Sequence, residues 1–245
     1  MAAAGAWPGR NSVSSAYSAQ FGLSRHIMNR SQIRLEICID SLAGARAAIA
    51  DGADRLEVCA SLELDGLSPD SALIEAIRTE SDLPLMAMVR SRPTDFVLQS
   101  GEWDELARDL ERAAELQVHG AVLGFLTAKR EIPDQELGRL IETAQGSLQL
   151  TFHRAFDHCR DPHAALTCLA ELGFQRVLTS GRAGKAEQHL PLLAELGSLA
   201  ASLPSELKIL PGGGVRPQNA DSILTALEVN ELHSSATQGW AAWRG

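Results

Sequence analysis

The chain has 245 residues, 45% of them hydrophobic and 22% charged, which suits one soluble domain of α/β size or two small ones. A formal charge of −9 argues against nucleic acid or an anionic membrane as the main partner, because both are held through a basic footprint, and no apolar run reaches the length of a membrane span. Four cysteines, Cys38, Cys59, Cys159 and Cys168, are too few for a disulfide scaffold in a chain this long, so a reducing cytoplasm is the expected setting.

Residues 1–32 read as a disordered leader, rich in Ala, Ser, Gly and Arg, with no Asp or Glu before Glu36. Such a composition also occurs in organelle transit peptides, although weak amphipathicity and the internal Met28 favour an upstream start or a non-native extension. Residues 33–245 are expected to form a single domain in which short β-branched runs alternate with segments of helical period. The predicted strands are Arg34–Asp40, Arg55–Ala60, Leu83–Arg90, Gly120–Phe125, Leu148–Phe156, Arg176–Ser180, Leu207–Pro211 and Glu231–Ala236. Helices are predicted at Ser41–Asp51, Ser68–Glu80, Glu102–Gln117, Asp134–Gln145, Pro162–Leu172, Ala186–Ser202 and Pro217–Leu227. Gly52, Gly120 and Gly173 stand where helices hand over to strands, and Asp134 and Asp161 where N-caps belong, with Pro162 at a first helical position.

This order predicts an α/β fold, a (β/α)8 TIM-type barrel, with functional residues at the C-terminal strand ends. The eighth helix is expected to be short or absent, since Thr237–Gly245 leaves little room; Trp240 and Trp243 there would close the barrel or meet another subunit. A doubly wound sheet is the alternative, but the residues after Asp40, Ser41-Leu42-Ala43-Gly44, lack the dinucleotide-binding G-x-G-x-x-G turn.

The phrase Arg34-Leu35-Glu36-Ile37-Cys38 is nearly repeated as Arg55-Leu56-Glu57-Val58-Cys59. Side chains alternate along a strand, so Glu36, Cys38 and Asp40 share one face and Leu35, Ile37 and Ile39 the other. Adjacent strands would bring two thiols and two carboxylates together. Two thiolates are soft donors that favour Cu(I) or Zn²⁺, and a pair suits low-coordinate Cu(I) better than a closed tetrahedral zinc site; Met86 and Met88 offer a thioether. Against this stands the plain role of free cysteine as a small core residue. Glu36 and Glu57, if buried together, cannot both ionise cheaply: one either keeps a raised pKa or pairs with Arg90 or Arg154. Arg34 and Arg55, at the strand starts, are expected to face solvent.

Strand five ends in Thr151-Phe152-His153-Arg154-Ala155-Phe156-Asp157. His153 is a candidate acid, base or ligand; recruiting Arg154 and Asp157 as well requires a bulge or turn near Ala155. Ser180 ends strand six and strand eight carries His233-Ser234-Ser235, while Gly212-Gly213-Gly214 after strand seven resembles a phosphate cradle, although such turns also merely close tight connections. His158 and His163 are expected at the surface, Cys159 and Cys168 in packing roles.

In these residues the chain resembles the CutC copper homeostasis family, from Leu35 to about Thr237. The motifs that carry the resemblance are Leu35-Glu36-Ile37-Cys38-Ile39-Asp40, Gly52-Ala53-Asp54-Arg55-Leu56-Glu57-Val58-Cys59, Thr151 to Asp157, Arg176-Val177-Leu178-Thr179-Ser180-Gly181 and Pro211-Gly212-Gly213-Gly214. The resemblance implies a cytoplasmic barrel protein associated with copper handling, with Cys38 and Cys59 matching the family's proposed Cu(I) ligands. It also implies a homo-oligomer, dimer or higher. Arg90-Ser91-Arg92-Pro93 departs from the family's Arg-Pro-Arg-like stretch, and the leader lies outside the shared pattern. Two readings follow. One is a copper-binding protein using Cys38 and Cys59. The other is a barrel enzyme of lyase, isomerase or hydrolase type acting on an anionic small molecule, with Glu36, Glu57, His153 and Asp157 as catalytic candidates. Asp40, Arg90, Arg154, Ser180, Gly212, Gly213, Gly214 and Ser234 would bind its ligand.

Overall fold

The computed structural model describes residues 29–93, 95–144 and 148–245. Eight parallel strands form one sheet: β1 (Arg34–Ile39), β2 (Arg55–Val58), β3 (Leu85–Val89), β4 (Gly120–Leu123), β5 (Gln149–Phe152), β6 (Arg176–Thr179), β7 (Lys208–Pro211) and β8 (Glu231–Ser234). Helices follow them in turn: α1 (Leu42–Ala50), α2 (Ser71–Arg78), α3 (Trp103–Glu115), α4 (Asp134–Thr143), α5 (Pro162–Glu171), α6 (Leu190–Ser202), α7 (Pro217–Leu227) and the short α8 (Trp240–Arg244). From β1 to β7 each strand pairs with the next in the chain, and β1 also pairs with β8. The result is a nearly closed (β/α)8 barrel, open in its ladder only between β7 and β8, where Pro211 has no N–H to donate.

Local chemistry explains most boundaries. Ser41 Oγ accepts from Gly44 N at 3.1 Å to start α1, and Asp161 Oδ1 accepts from the N–H groups of His163 and Ala164 to start α5, with Pro162 in its first turn. Asp134, expected as an N-cap, is instead the first residue of α4, with Pro133 before it. Strand β5 stops at Phe152, four residues earlier than predicted, because His153 Nδ1 accepts from Ala155 N and opens a 3-10 turn over Arg154–His158. The predicted helix at Ala186–Ser202 is split at His189 into a 3-10 turn, Ala186–Gln188, and α6.

Gly120 opens β4, as predicted. A Cβ there would stand 2.4 Å from both the Gln149 carbonyl oxygen and Met86 Cε, one contact being rigid backbone. Gly120→Ala is expected to cost about 1–3 kcal/mol of stability; an unchanged urea midpoint would contradict this close approach.

The core lies between sheet and helices. Leu35, Ile37 and Ile39 of β1 and Leu56 and Val58 of β2 belong to it with Ile74 and Ile77 of α2 and Leu106 and Leu110 of α3. The other face of the same strands points into the barrel, where Cys38, Cys59, Met86, Met88 and Val122 form a separate cluster. Trp240 and Trp243 are buried, with rings 5.4 Å apart and nearly perpendicular, so they pack on their own barrel. Residues 29–32, assigned to the leader by composition, dock as well: Arg30 bonds Asp221 and lies 5.2 Å over the Trp243 ring. Residues 1–28 of the expected leader fall outside the described residues. Among the described residues no helix is long and apolar enough to cross a membrane.

Candidate metal and ligand cavity

The register of β1 on β2 decides what the repeated phrase becomes. Glu36 pairs with Arg55 and Cys38 with Glu57, so the two copies are staggered by two residues rather than level, as the shear of a barrel requires. Arg55, expected at the surface, is only 2% exposed. Its Nε donates to Glu36 Oε2 and its Nη2 to Glu231 Oε2 at 2.7 Å, while Arg176 Nε donates to Glu231 Oε2 at 3.1 Å. Two carboxylates and two buried guanidiniums thus fill the base of the barrel, and the exposed Arg34 reaches Glu231 at 3.7 Å from outside. Arg55, and neither Arg90 nor Arg154, is the partner of Glu36. Arg34, as predicted, is exposed.

Above this plug sits the sulfur. The staggered copies bring Cys38 Sγ and Cys59 Sγ to 3.5 Å, and the Cys59 thiol also lies 3.5 Å from the Ile39 carbonyl oxygen. The Cys59 contact, burial and the nearby Glu57 charge hold the Cys38 thiol well above its ordinary range. Beside it, one ligand atom each from Cys38, Glu57 and His233 lie within 4.8 Å of one another. His233 Nδ1 is 2.8 Å from Glu36 Oε1 and 3.9 Å from Glu57 Oε2. Burial lowers the His233 pKa, but Glu57 and Glu36 outweigh it and the net shift is upward. For Glu57 burial dominates and raises the pKa, and its Oε2 makes no hydrogen bond. Of the two glutamates, one is therefore a framework anion and the other keeps an open oxygen.

Cys38, Glu57, Met88 and His233 line one side of a cavity of about 200 Å³ at the C-terminal strand ends, with His153, Arg154, Gly213, Gly214 and Ser234 around the rest. The turn after β5 presents His153 and Arg154 to the same cavity although they are adjacent in sequence. His153 is held neutral, its pKa lowered to about 3 by burial and the Arg90 charge. Since Nδ1 accepts a bond, the proton sits on Nε2, which is buried without a partner.

Other candidates lie elsewhere. Asp157 is buried and accepts from Thr179 Oγ1 at 2.5 Å, Ser180 N at 2.9 Å, Ser180 Oγ at 2.6 Å and Arg154 Nε at 2.9 Å, so it orients Arg154 and Ser180 rather than facing the cavity. Glu36 lies below the cavity, and Asp40 is exposed beyond β1. Arg90 donates to the carbonyls of Leu64 and Gly66 and stacks 4.6 Å from the Phe96 ring centroid, pinning the loop after β2. Gly212 packs against His233 and Leu178. Cys159 is buried in the outer core, while His158, exposed as predicted, lies at the edge of the same cavity. His233, Arg55, Glu231 and Arg176 were missed as a site. The period of two had already put Arg55 on the Glu57 face and His233 on the Glu231 face.

The plug makes the fold acid-sensitive. Burial raises the Glu36 pKa, but Arg55 and His233 prevail and bring it to about 2 from 4.5. The unfolded chain takes up this proton near pH 4.5 and the folded one only near 2, so the stabilisation is complete above 4.5 and is lost as pH falls towards 2. The full effect is about 3 kcal/mol. Neutral His153, at about 3 instead of 6.5, adds a loss of the same sign between those values. Urea midpoints should fall steeply below pH 4.5, and a flat profile there would contradict the ion pair.

Comparison with known proteins bears on this arrangement. The CutC family model matches residues 33–238. A CutC family protein from Vibrio cholerae serotype O1 is 40% identical over 204 residues, 83% of this chain and 79% of its own length. One from Histophilus somni is 41% identical over 202 residues, 82% of each. A solved structure from Streptococcus agalactiae, described as a copper homeostasis protein CutC, superimposes with a TM-score of 0.78 at 28% identity, covering 84% of this chain and 100% of that one. Matched over most of its length by the family model and by curated relatives at these identities, the chain belongs to the CutC family.

Proposed function

We propose that this protein serves copper homeostasis by binding Cu(I) as cargo between Cys38 and Cys59. The observation that carries the reading is the pair of buried free sulfurs 3.5 Å apart beside a cavity open to small molecules. Thiolates with a nearby thioether select a soft monovalent ion over hard divalent ones. With metal–sulfur bonds of about 2.3 Å, sulfurs at this spacing subtend roughly 100° at a shared ion, far from the linear two-coordinate arrangement. A third donor therefore completes the site. Met88, in the same cluster, supplies the soft choice, and His233 or Glu57 the harder one. Two thiols this close stay free only in a reducing compartment, which supports a cytoplasmic location. The description of the Streptococcus agalactiae relative as a copper homeostasis protein points the same way.

The test is a competition titration against a chromogenic Cu(I) chelator under reducing conditions. Wild type should take one Cu(I) per chain, and Cys38→Ser and Cys59→Ser should each lose most of the affinity. Retention of wild-type affinity in both variants would sink the proposal.

A further inference from the structure

The side of the cavity away from the sulfurs carries groups that copper does not use. After β7 the chain turns through Gly212, Gly213 and Gly214, the last two at φ +84° and +73°. A Cβ at Gly212 would lie 3.3 Å from His233 Cδ2, at Gly213 3.2 Å from Arg154 Cζ, and at Gly214 3.0 Å from Lys185 Cγ. Without side chains, this strip of backbone runs between an imidazole, a guanidinium and the stem of a lysine. The N–H groups of Gly213, Gly214 and Val215 donate to no acceptor among the described residues. Arg154 gives Nε to Asp157 and Nη2 to Ser180 Oγ and the Gly184 carbonyl, which locks its plane and leaves Nη1 without a partner among the described residues. Lys185 is exposed and joins no ion pair among the described residues. In a chain of net charge −9, the Gly213 and Gly214 amides and the Arg154 guanidinium at the cavity wall, with the Val215 amide and the stem of Lys185 flanking the same turn, favour an anion there.

The cavity also holds polar atoms left unsatisfied. Glu57 Oε2 and His153 Nε2 are buried without hydrogen-bond partners, and both residues line the cavity. Buried polar atoms of this kind are rare unless something binds them. The space between is about 200 Å³, room for a short-chain molecule and not for a nucleotide or a peptide.

We propose that this cavity binds a short-chain phosphomonoester bearing a hydroxyl or carbonyl group. The phosphate rests on the Gly213–Val215 amides, Arg154 and Lys185, and the oxygenated end meets Glu57 and His153. A dianionic tetrahedral group uses several converging donors and two positive charges, where a carboxylate would leave donors idle. The site shares the cavity with the thiols but depends on none of them.

The experiment uses the full chain carrying both Cys38→Ser and Cys59→Ser, with a metal chelator, so that copper plays no part. Glycerol 3-phosphate and inorganic phosphate are titrated by calorimetry against chloride at matched ionic strength. Both should bind saturably, the ester more tightly. Arg154→Lys, which keeps a charge beside Asp157, should weaken both by about tenfold or more. Lys185→Ala, an exposed change that spares the fold, should weaken both by a smaller factor. Glu57→Gln should weaken the ester and leave inorganic phosphate unchanged. Absence of saturable binding by either probe, or wild-type affinity in both cation variants, overturns the site. Equal affinity for the two probes, unaltered by Glu57→Gln, overturns the assignment of an ester.

Discussion

Arg55→Met is expected to cost about 3–5 kcal/mol of folding stability, among the largest effects of a single substitution in the barrel. The size comes from what is left behind. Arg55 neutralises Glu36 and shares Glu231 with Arg176, and Glu36 is fully buried. A methionine fills similar space but removes the guanidinium between the two acids: Glu231 keeps Arg176 and the exposed Arg34, while the dry Glu36 is left with His233 alone. The double variant Arg55→Met/Glu36→Gln should recover part of the loss, since it removes the orphan charge; their non-additivity measures the coupling. Urea denaturation of the single and double variants gives the answer. A loss below about 1 kcal/mol for Arg55→Met would mean that the plug relaxes or admits water, contrary to its burial.

The second large effect is on metal affinity. Copper binds thiolate, not thiol, so each thiol that becomes a ligand must release its proton. Cys38 is held well above the ordinary thiol range, first by its contact with Cys59 and then by burial and Glu57. It therefore remains protonated throughout the working range when copper is absent. Cu(I) affinity should tighten by at least about tenfold for each unit of rising pH on account of Cys38 alone. The third donor adds a signature. If His233 completes the site, its own proton, favoured by Glu57 and Glu36 against the opposing effect of burial, must leave too and the slope steepens wherever His233 is still protonated. If Met88 does, no further proton is lost, and Met88→Leu weakens binding without changing the slope. An affinity independent of pH would contradict ligation by Cys38.

Much of the barrel was written in the chain in local terms. Alternation in Leu35–Ile39 and Leu56–Cys59 marked strands with one apolar and one polar face, and Asp161-Pro162 marked a helix start; both hold. The boundaries that failed did so where a side chain competed with regular backbone bonding. His153 capped a turn inside what read as a longer strand, and Pro191, with no N–H to donate, follows the break at His189 in what read as one helix. Gly120 was expected to open its strand and does so, but only the packed Gln149 carbonyl and Met86 explain why a glycine stands there.

The sequence by itself determined that carboxylates and thiols would line the inside of a parallel barrel, because a period of two leaves them no other face once Leu35, Ile37, Leu56 and Val58 are buried outward. Which of them meet was decided by tertiary structure alone. The two-residue stagger between β1 and β2 gave Glu36 to Arg55, set Glu57 beside Cys38 and brought the two sulfurs together on a diagonal. Pairing of β1 with β8 delivered His233, from nearly two hundred residues away, to the same carboxylates. Register is a property of the closed barrel, set by shear and by burial summed over all strands, and no local run of residues contains it.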